Sequence, residues 1–207
     1  MSKQLLLCLL STLMSFSDNC AQSLGFFVDD RDGRTYETVT YLLVDENNDE
    51  YEMTWMAENL SHQTKDSFCY DDYESNCEIA GRLYNWHDAM KACPVGWHLP
   101  SDDEWKTLVI QYGGMNTAAV HLRSSSDIWK RDGNRTNKSL FSAMPYGYKY
   151  KNSYCCLYLN ASFWSSSEKD STYAWDWNLV TNWKKVSHSD AHKIDMFNSV
   201  RCVQDMN

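Results

Sequence analysis

The chain is poor in the residues that break a protein into pieces. Only three of its 207 residues are proline, and no Pro-rich, Gly-rich or repeated stretch divides it, so one domain plus a short extension is the expected organisation. Lysine and arginine never form a basic run of five. With 19 basic against 28 acidic residues the formal charge is −9, and a polyanion would be repelled by that field, which excludes general nucleic-acid binding. No Cys-x-x-Cys pair offers thiolates at zinc spacing, and no Gly-x-Ser-x-Gly elbow supports serine hydrolase chemistry. The apolar run from Leu5 to Phe16 is 12 residues long, too short to span a bilayer, and no other stretch is long enough.

What is present points outward from the cytoplasm. Lys3, the apolar run, polar residues and Ala21-Gln22-Ser23 follow the order of an export leader with a small-x-small cleavage site. Cleavage is expected after Ser23, giving a leader over residues 1–23 and a single domain over 24–207 that is secreted, periplasmic or on the cell surface. After cleavage the product is not an integral membrane protein. Lipidation at Cys20 is the alternative, although Asp18 and Asn19 stand where small or apolar residues are wanted. Six of the eight cysteines lie beyond the leader: Cys69, Cys77, Cys93, Cys155, Cys156 and Cys202. An even number in an oxidising compartment favours disulfides. Cys69 and Cys77 bracket a short acidic loop at a spacing suited to a local bond.

The hydrophobic pattern reads as α+β. From Phe26 to about Ala57 the pattern is β-like: Thr35–Val44 is rich in β-branched and aromatic residues and Tyr51–Met56 returns as a strand, an expected hairpin or short meander. Asp29-Asp30-Arg31-Asp32-Gly33 is read as a turn, since no glutamate follows where a calcium loop would need one. Ile79, Leu83, Trp86, Met90 and Cys93 fall on one face of a helix that Pro94 ends. Ser101-Asp102-Asp103-Glu104 is a capping box opening a second helix through Trp105, Leu108, Val109 and Tyr112, closed by Gly113-Gly114. A short third helix is expected over Thr117–Arg123 in a long, loop-rich middle. Strands are expected at Phe163–Ser167, Thr172–Val180, Trp183–Ser187 and Phe197–Val203. His98 is read as satisfying a backbone carbonyl. His188 and His192 have the spacing of a metal pair if helical, but their surroundings read as a turn, so no metal and no cofactor are expected.

Six ordered blocks carry a family resemblance. They are Asp32-Gly33-x-Thr35-Tyr36, Thr54-Trp55-Met56-Ala57-Glu58-Asn59-Leu60, Gly81-Arg82-Leu83-Tyr84-Asn85-Trp86, Ala92-Cys93-Pro94-x-Gly96-Trp97-His98-Leu99-Pro100-Ser101, Phe163-Trp164-Ser165-Ser166-Ser167-Glu168 and Ser199-Val200-Arg201-Cys202-Val203. Together they resemble the Fibrobacter succinogenes major paralogous domain, an exported bacterial domain of C-type-lectin-like fold, over roughly residues 27 to 204. The resemblance implies antiparallel sheets, two main helices, a loop-rich middle and a Cys93–Cys202 disulfide from the first helix to the last strand. It does not define a biochemical activity. The adjacent Cys155 and Cys156 depart from the family pattern.

Three functional readings follow. The first is non-catalytic recognition or adhesion, with polysaccharide, or another cell-surface component, as the partner. Calcium-dependent lectins use a Glu-Pro-Asn or Gln-Pro-Asp loop, and none of Pro94, Pro100 and Pro145 sits in one, so binding would be independent of calcium. Tyr146, Tyr148 and Tyr150 alternate and would share one face of an extended strand. Trp183 lies in a polar stretch, and Asp176, Asn178 and Asn182 could bond hydroxyls. The opposing reading makes the tyrosine row, Trp175 and Trp177 core. The second function is a structural cell-envelope protein without a small ligand. The third is a redox enzyme using Cys155 and Cys156, since formylglycine-generating enzymes share a related fold and a cysteine pair.

Overall fold

The computed structural model describes residues 22–44, 47–130, 133 and 135–206. The expected leader lies outside them, apart from Gln22 and Ser23, which open the first strand. The chain begins with an antiparallel meander, β1 (Gln22–Asp29), β2 (Arg34–Val44) and β3 (Glu50–Met56). Gly33 makes the β1–β2 turn: its φ is +74° and its N–H donates to the Asp29 carbonyl at 2.7 Å, a left-handed conformation that favours glycine.

Next come β4 (Ser67–Phe68), α1 (Glu74–Ala80), β5 (Leu83–Tyr84), α2 (Trp86–Ala92), β6 (Trp97–His98), α3 (Asp102–Gln111) and α4 (Ala119–Leu122). The remaining strands are β7 (Tyr148–Tyr150), β8 (Ser153–Cys155), β9 (Asn160–Glu168), β10 (Tyr173–Val180), β11 (Val186–His192), β12 (Met196–Ser199) and β13 (Val203–Gln204). One sheet has the order β1-β2-β3-β13-β6. The other runs β11-β10-β9-β12-β5-β4, with β7 and β8 branching from β12. Pairing is antiparallel except between β12 and β9, so the architecture is α+β with mostly antiparallel sheets. No helix among the described residues is long and apolar enough to cross a membrane.

The single helix expected through Ile79 and Cys93 is instead two helices and a strand. Gly81 has φ +71°, and a Cβ there would stand 2.7 Å from the Leu60 carbonyl oxygen. The Arg82 N–H donates to that same carbonyl, so the chain leaves the helix to meet Leu60 and β5. Asn85 then caps α2 by accepting from the Asp88 N–H at 2.9 Å. The apolar periodicity spanned this break: Ile79 is 68% exposed and Met90 is 43% exposed. The capping box of α3 forms as read, Ser101 and Glu104 each satisfying the other's backbone N–H. Two strand boundaries move. The strand expected at Trp183–Ser187 begins at Val186 and runs to His192, and the last expected strand splits into β12 and β13.

Two apolar clusters fill the interior. In the larger, α3 lays Trp105 among Trp55, Phe141, Phe163 and Trp177, with ring centroids 4.8–5.9 Å apart. The smaller gathers Tyr36, Tyr84, Trp86, Trp97, Trp164 and Val200. Arg201 is buried beside them, and among the described residues no carboxylate meets its guanidinium. Its Nε donates to Asn59 Oδ1 at 2.6 Å, and its Nη atoms donate to the carbonyls of Met56, Phe141 and Ser142. Its planar head also covers the Phe141 ring at 4.5 Å.

Disulfides join Cys69 to Cys77, Cys93 to Cys202 and Cys155 to Cys156. The Cys93–Cys202 bond spans 109 residues. Loop closure of that length restricts the unfolded chain by about 4–5 kcal/mol in the chain-entropy treatment. The double variant Cys93→Ala/Cys202→Ala is therefore expected to lose roughly 4 kcal/mol in urea unfolding; a loss below about 1 kcal/mol would contradict this account of the bond.

His98 does not serve a backbone carbonyl. Its Nε2 meets Glu104 at 2.8 Å and its Nδ1 meets Asp205 at 2.7 Å, linking β6 to the α3 cap and the C-terminal segment. The Glu104 hydrogen bond, aided by Asp205, raises its pKa from 6.5 to about 9. A raised histidine pKa stabilises the fold fully below the unfolded value and is lost as pH rises through the folded value. The stability advantage of wild type over His98→Gln is thus expected to be full at pH 6 and gone by about pH 10. Melting temperatures across that range check it.

Candidate functional site

Strand alternation builds a polar cleft on one face of β9, β10 and β11. Successive residues of a strand point to opposite faces. On β10, Trp175, Trp177 and Leu179 face one way and Asp176 and Asn178 the other. Trp177 packs on Trp105 and donates its indole N–H to Asp102 Oδ1 at 2.9 Å, while Asp102 Oδ2 meets His188 Nε2 at 2.8 Å. On the opposite face, Asp176 pairs across to Ser189, and Asn178 to Ser187 and Ser162; Asn160 lies opposite Val180. The result is a cleft of about 290 Å³ with a floor of serine, asparagine and aspartate, to which β7 adds Tyr148 and β12 adds Met196.

The floor is cross-linked. Asp176 accepts from Ser189 Oγ at 2.7 Å and from Asn198 Nδ2 at 3.3 Å. Asn178 Oδ1 accepts from Ser162 Oγ at 2.6 Å and Asn160 Nδ2 at 3.2 Å. Two buried amide oxygens, Asn160 Oδ1 and Asn198 Oδ1, have no hydrogen-bond partner. Native interiors rarely leave such acceptors unpaired, and Asn160 is one of the residues that line the cleft.

Trp183 supplies an aromatic wall. It sits in the turn between β10 and β11, is 45% exposed and lines the cleft. Arg123, fully buried, fixes that turn by donating to the carbonyls of Val180 at 2.6 Å and Trp183 at 2.7 Å. The Lys185 ammonium lies 4.8 Å from the Trp183 ring centroid.

Of the residues singled out from the sequence, Trp183, Asp176, Asn178 and Tyr148 meet in this cleft. Asn182 is exposed beside Trp183 in the turn but does not line it. The tyrosine row does not share one face. Gly147, at φ +64°, interrupts the extended chain, so Tyr146 is buried, Tyr148 lines the cleft and Tyr150 is exposed. Trp175 is half-buried against the His188 ring at 4.5 Å. His188 and His192 lie on β11, each with its own carboxylate, Asp102 and Asp195 respectively. Sequence reasoning missed Asn160, Ser162, Ser187, Ser189 and Asn198. A signal existed in Asn160-x-Ser162, Asp176-x-Asn178 and Ser187-x-Ser189, three polar pairs at strand spacing.

Among the described residues, Asp29, Asp32 and His62 also bring donor atoms within 4.8 Å of one another. Arg31 already occupies both Asp29 oxygens there.

Burial raises the pKa of Asp176, and its hydrogen bonds to Ser189, Asn178 and Asn198 only partly oppose this. A carboxyl raised by folding stabilises the native state below its unfolded pKa and loses that contribution as pH rises through the folded value. Ionising the carboxyl in this place is therefore a cost. In Asp176→Asn the new amide can donate to the unpaired Asn198 Oδ1 once Asn198 turns over. This variant is expected to melt higher than wild type at pH 7, with the difference shrinking as pH falls through the raised folded value and levelling off below the ordinary aspartate range. An unchanged or lower melting temperature at pH 7 would show that the charge is not a burden.

The family model described as the Fibrobacter succinogenes major domain matches residues 31–204. No curated protein and no solved structure matches the chain.

Proposed function

This chain belongs to the Fibrobacter succinogenes major domain family, and from that premise we propose that it is an exported, non-catalytic recognition module of the bacterial cell envelope that binds polysaccharide without calcium. A C-type-lectin-like fold is part of this reading. It is supported by the Cys93–Cys202 bond between the end of α2 and the segment leading into β13, and by the contribution of the chain's end to both sheets.

The observation that carries the proposal is the makeup of the cleft. A sugar ring offers an apolar C–H face and a rim of hydroxyls. Trp183 offers an exposed aromatic face, and Asn160 Oδ1 is a buried acceptor still lacking a donor. A ligand hydroxyl donating to that oxygen would satisfy it, and a buried acceptor left unmet is costly. Serine and asparagine side chains can donate and accept at once, which suits hydroxyls better than anions. The Asp176 carboxylate further disfavours an anionic ligand at this point. Calcium is not required because protein donors already occupy Asp176.

Binding to a panel of bacterial and plant polysaccharides, with and without a chelator, tests this. Chelation is expected to leave binding intact. Trp183→Ala is expected to weaken it about tenfold, the effect of roughly 1.4 kcal/mol of lost stacking, with little change in melting temperature because the residue is nearly half exposed. Calcium dependence, or full affinity in Trp183→Ala, would refute the proposal.

A further inference from the structure

The Cys155–Cys156 bond adjoins the cleft wall. Cys155 is the cross-strand partner of Tyr148, and both Tyr148 and Asn160 line the cleft. The contact is close: a Cβ at Gly147 would fall 1.9 Å from the Cys155 carbonyl oxygen, so only glycine lets the two backbones touch. Gly147 in turn donates its N–H to the Asn160 carbonyl at 2.7 Å. On the other side, the Cys156 carbonyl accepts from the N–H groups of Leu159 and Asn160, each at 3.0 Å. Asn160 is thus one hydrogen bond from Cys156, and through Gly147 one hydrogen bond and one close backbone approach from Cys155.

Cys156 holds φ at +69°, a left-handed conformation that a non-glycine residue seldom keeps unless its surroundings enforce it. The ring closed with Cys155 is such an enforcement. Without it, Cys156 is free to return to the favoured side of φ and carry its carbonyl away from the Asn160 N–H.

Access differs among the three disulfides. Cys69, Cys77 and Cys202 are buried; Cys93 is half-buried but bonded to the fully buried Cys202, whereas Cys155 and Cys156 are both half-buried. Thiol exchange depends on access to sulfur. The 155–156 bond also closes no loop of intervening residues, so opening it returns little freedom to the unfolded chain. It can open while the fold stands.

We propose that Cys155–Cys156 is a redox control on the ligand cleft, closed in the binding-competent form and opened by a small dithiol. This rests on the cleft being the ligand site. In the reaction a thiolate of the dithiol attacks one sulfur and forms a mixed disulfide. The second thiol of the dithiol then displaces it, leaving two protein thiols and an oxidised cyclic dithiol. Two electrons and two protons pass to the protein, and a disulfide oxidant reverses the step. Because coupling between sites is reciprocal, bound ligand should also protect the bond from reduction.

The test uses graded dithiothreitol, with alkylation and peptide mapping to count and locate thiols. Two new thiols, at Cys155 and Cys156 alone, are expected first. Polysaccharide affinity should then fall by about fivefold or more and return on reoxidation, and Cys155→Ser/Cys156→Ser should match the reduced form in either condition. Hydrogen exchange without ligand gives a second readout: the Asn160 amide should exchange faster after reduction while the α3 amides stay protected. If no polysaccharide binds in either state, the ligand reading falls, and faster Asn160 exchange still supports the structural coupling. Unchanged exchange at Asn160, or global unfolding when only this pair is reduced, would overturn the inference.

Discussion

The last ten residues of the domain hold its two sheets together. Ser199, on β12, pairs with β5 and β9 in one sheet, and Val203, on β13, pairs with β3 and β6 in the other. The three residues between carry the connection. Val200 takes the Leu60 N–H on its carbonyl and Cys202 takes the Met56 N–H, each at 2.9 Å. Cys202 closes the long disulfide, and Arg201 gathers Asn59, Met56, Phe141 and Ser142 around a fully buried guanidinium. Burying that charge without a carboxylate lowers its pKa, yet an arginine keeps its proton at neutral pH. Removing the charge would orphan several buried carbonyls, so its role is to fix one arrangement of the loops around it.

The cleft depends on the same seam at one remove. β9 adjoins β12, β10 adjoins β9, and β11 adjoins β10. Once Trp105 and its aromatic neighbours claim the inner face of β9 and β10, the alternation of the strands leaves Asn160, Ser162, Asp176 and Asn178 with no apolar alternative. Asn160, Ser162 and Asp176 are buried and Asn178 is half-buried, so they satisfy one another through side-chain hydrogen bonds. The amide oxygen that remains unmet on Asn160 marks where that internal accounting stops at the cleft, while the one on Asn198 is fully buried.

Local chemistry was read well from sequence, and tertiary placement less so. The Ser101–Glu104 box, the turn at Gly33, the α3 face and the Cys69–Cys77 clip each involve residues within a few positions of one another. The family resemblance supplied the Cys93–Cys202 pairing, which no local signal specifies. The helix through Ile79 failed because helical spacing is blind to the approach of Leu60 against Gly81, a contact made from twenty residues away. The tyrosine row failed for a like reason: alternation assumes an extended chain, and Gly147 takes a left-handed turn to meet Cys155. Within the cleft, the exposed tryptophan and two β10 polar residues were legible. Their partners on β9 and β11 were not, because only sheet register sets Ser162, Asn178 and Ser187 side by side.

Amide and indole chemical-shift mapping of the isotopically labelled domain, titrated in chelator with an oligosaccharide cut from a polysaccharide that binds, tests the central claim most directly. The account predicts shifts concentrated at Asn160, Asn178, Ser189 and the Trp183 indole, with the α3 resonances unmoved. Shifts centred on another surface, or appearing only when calcium is restored, would contradict it.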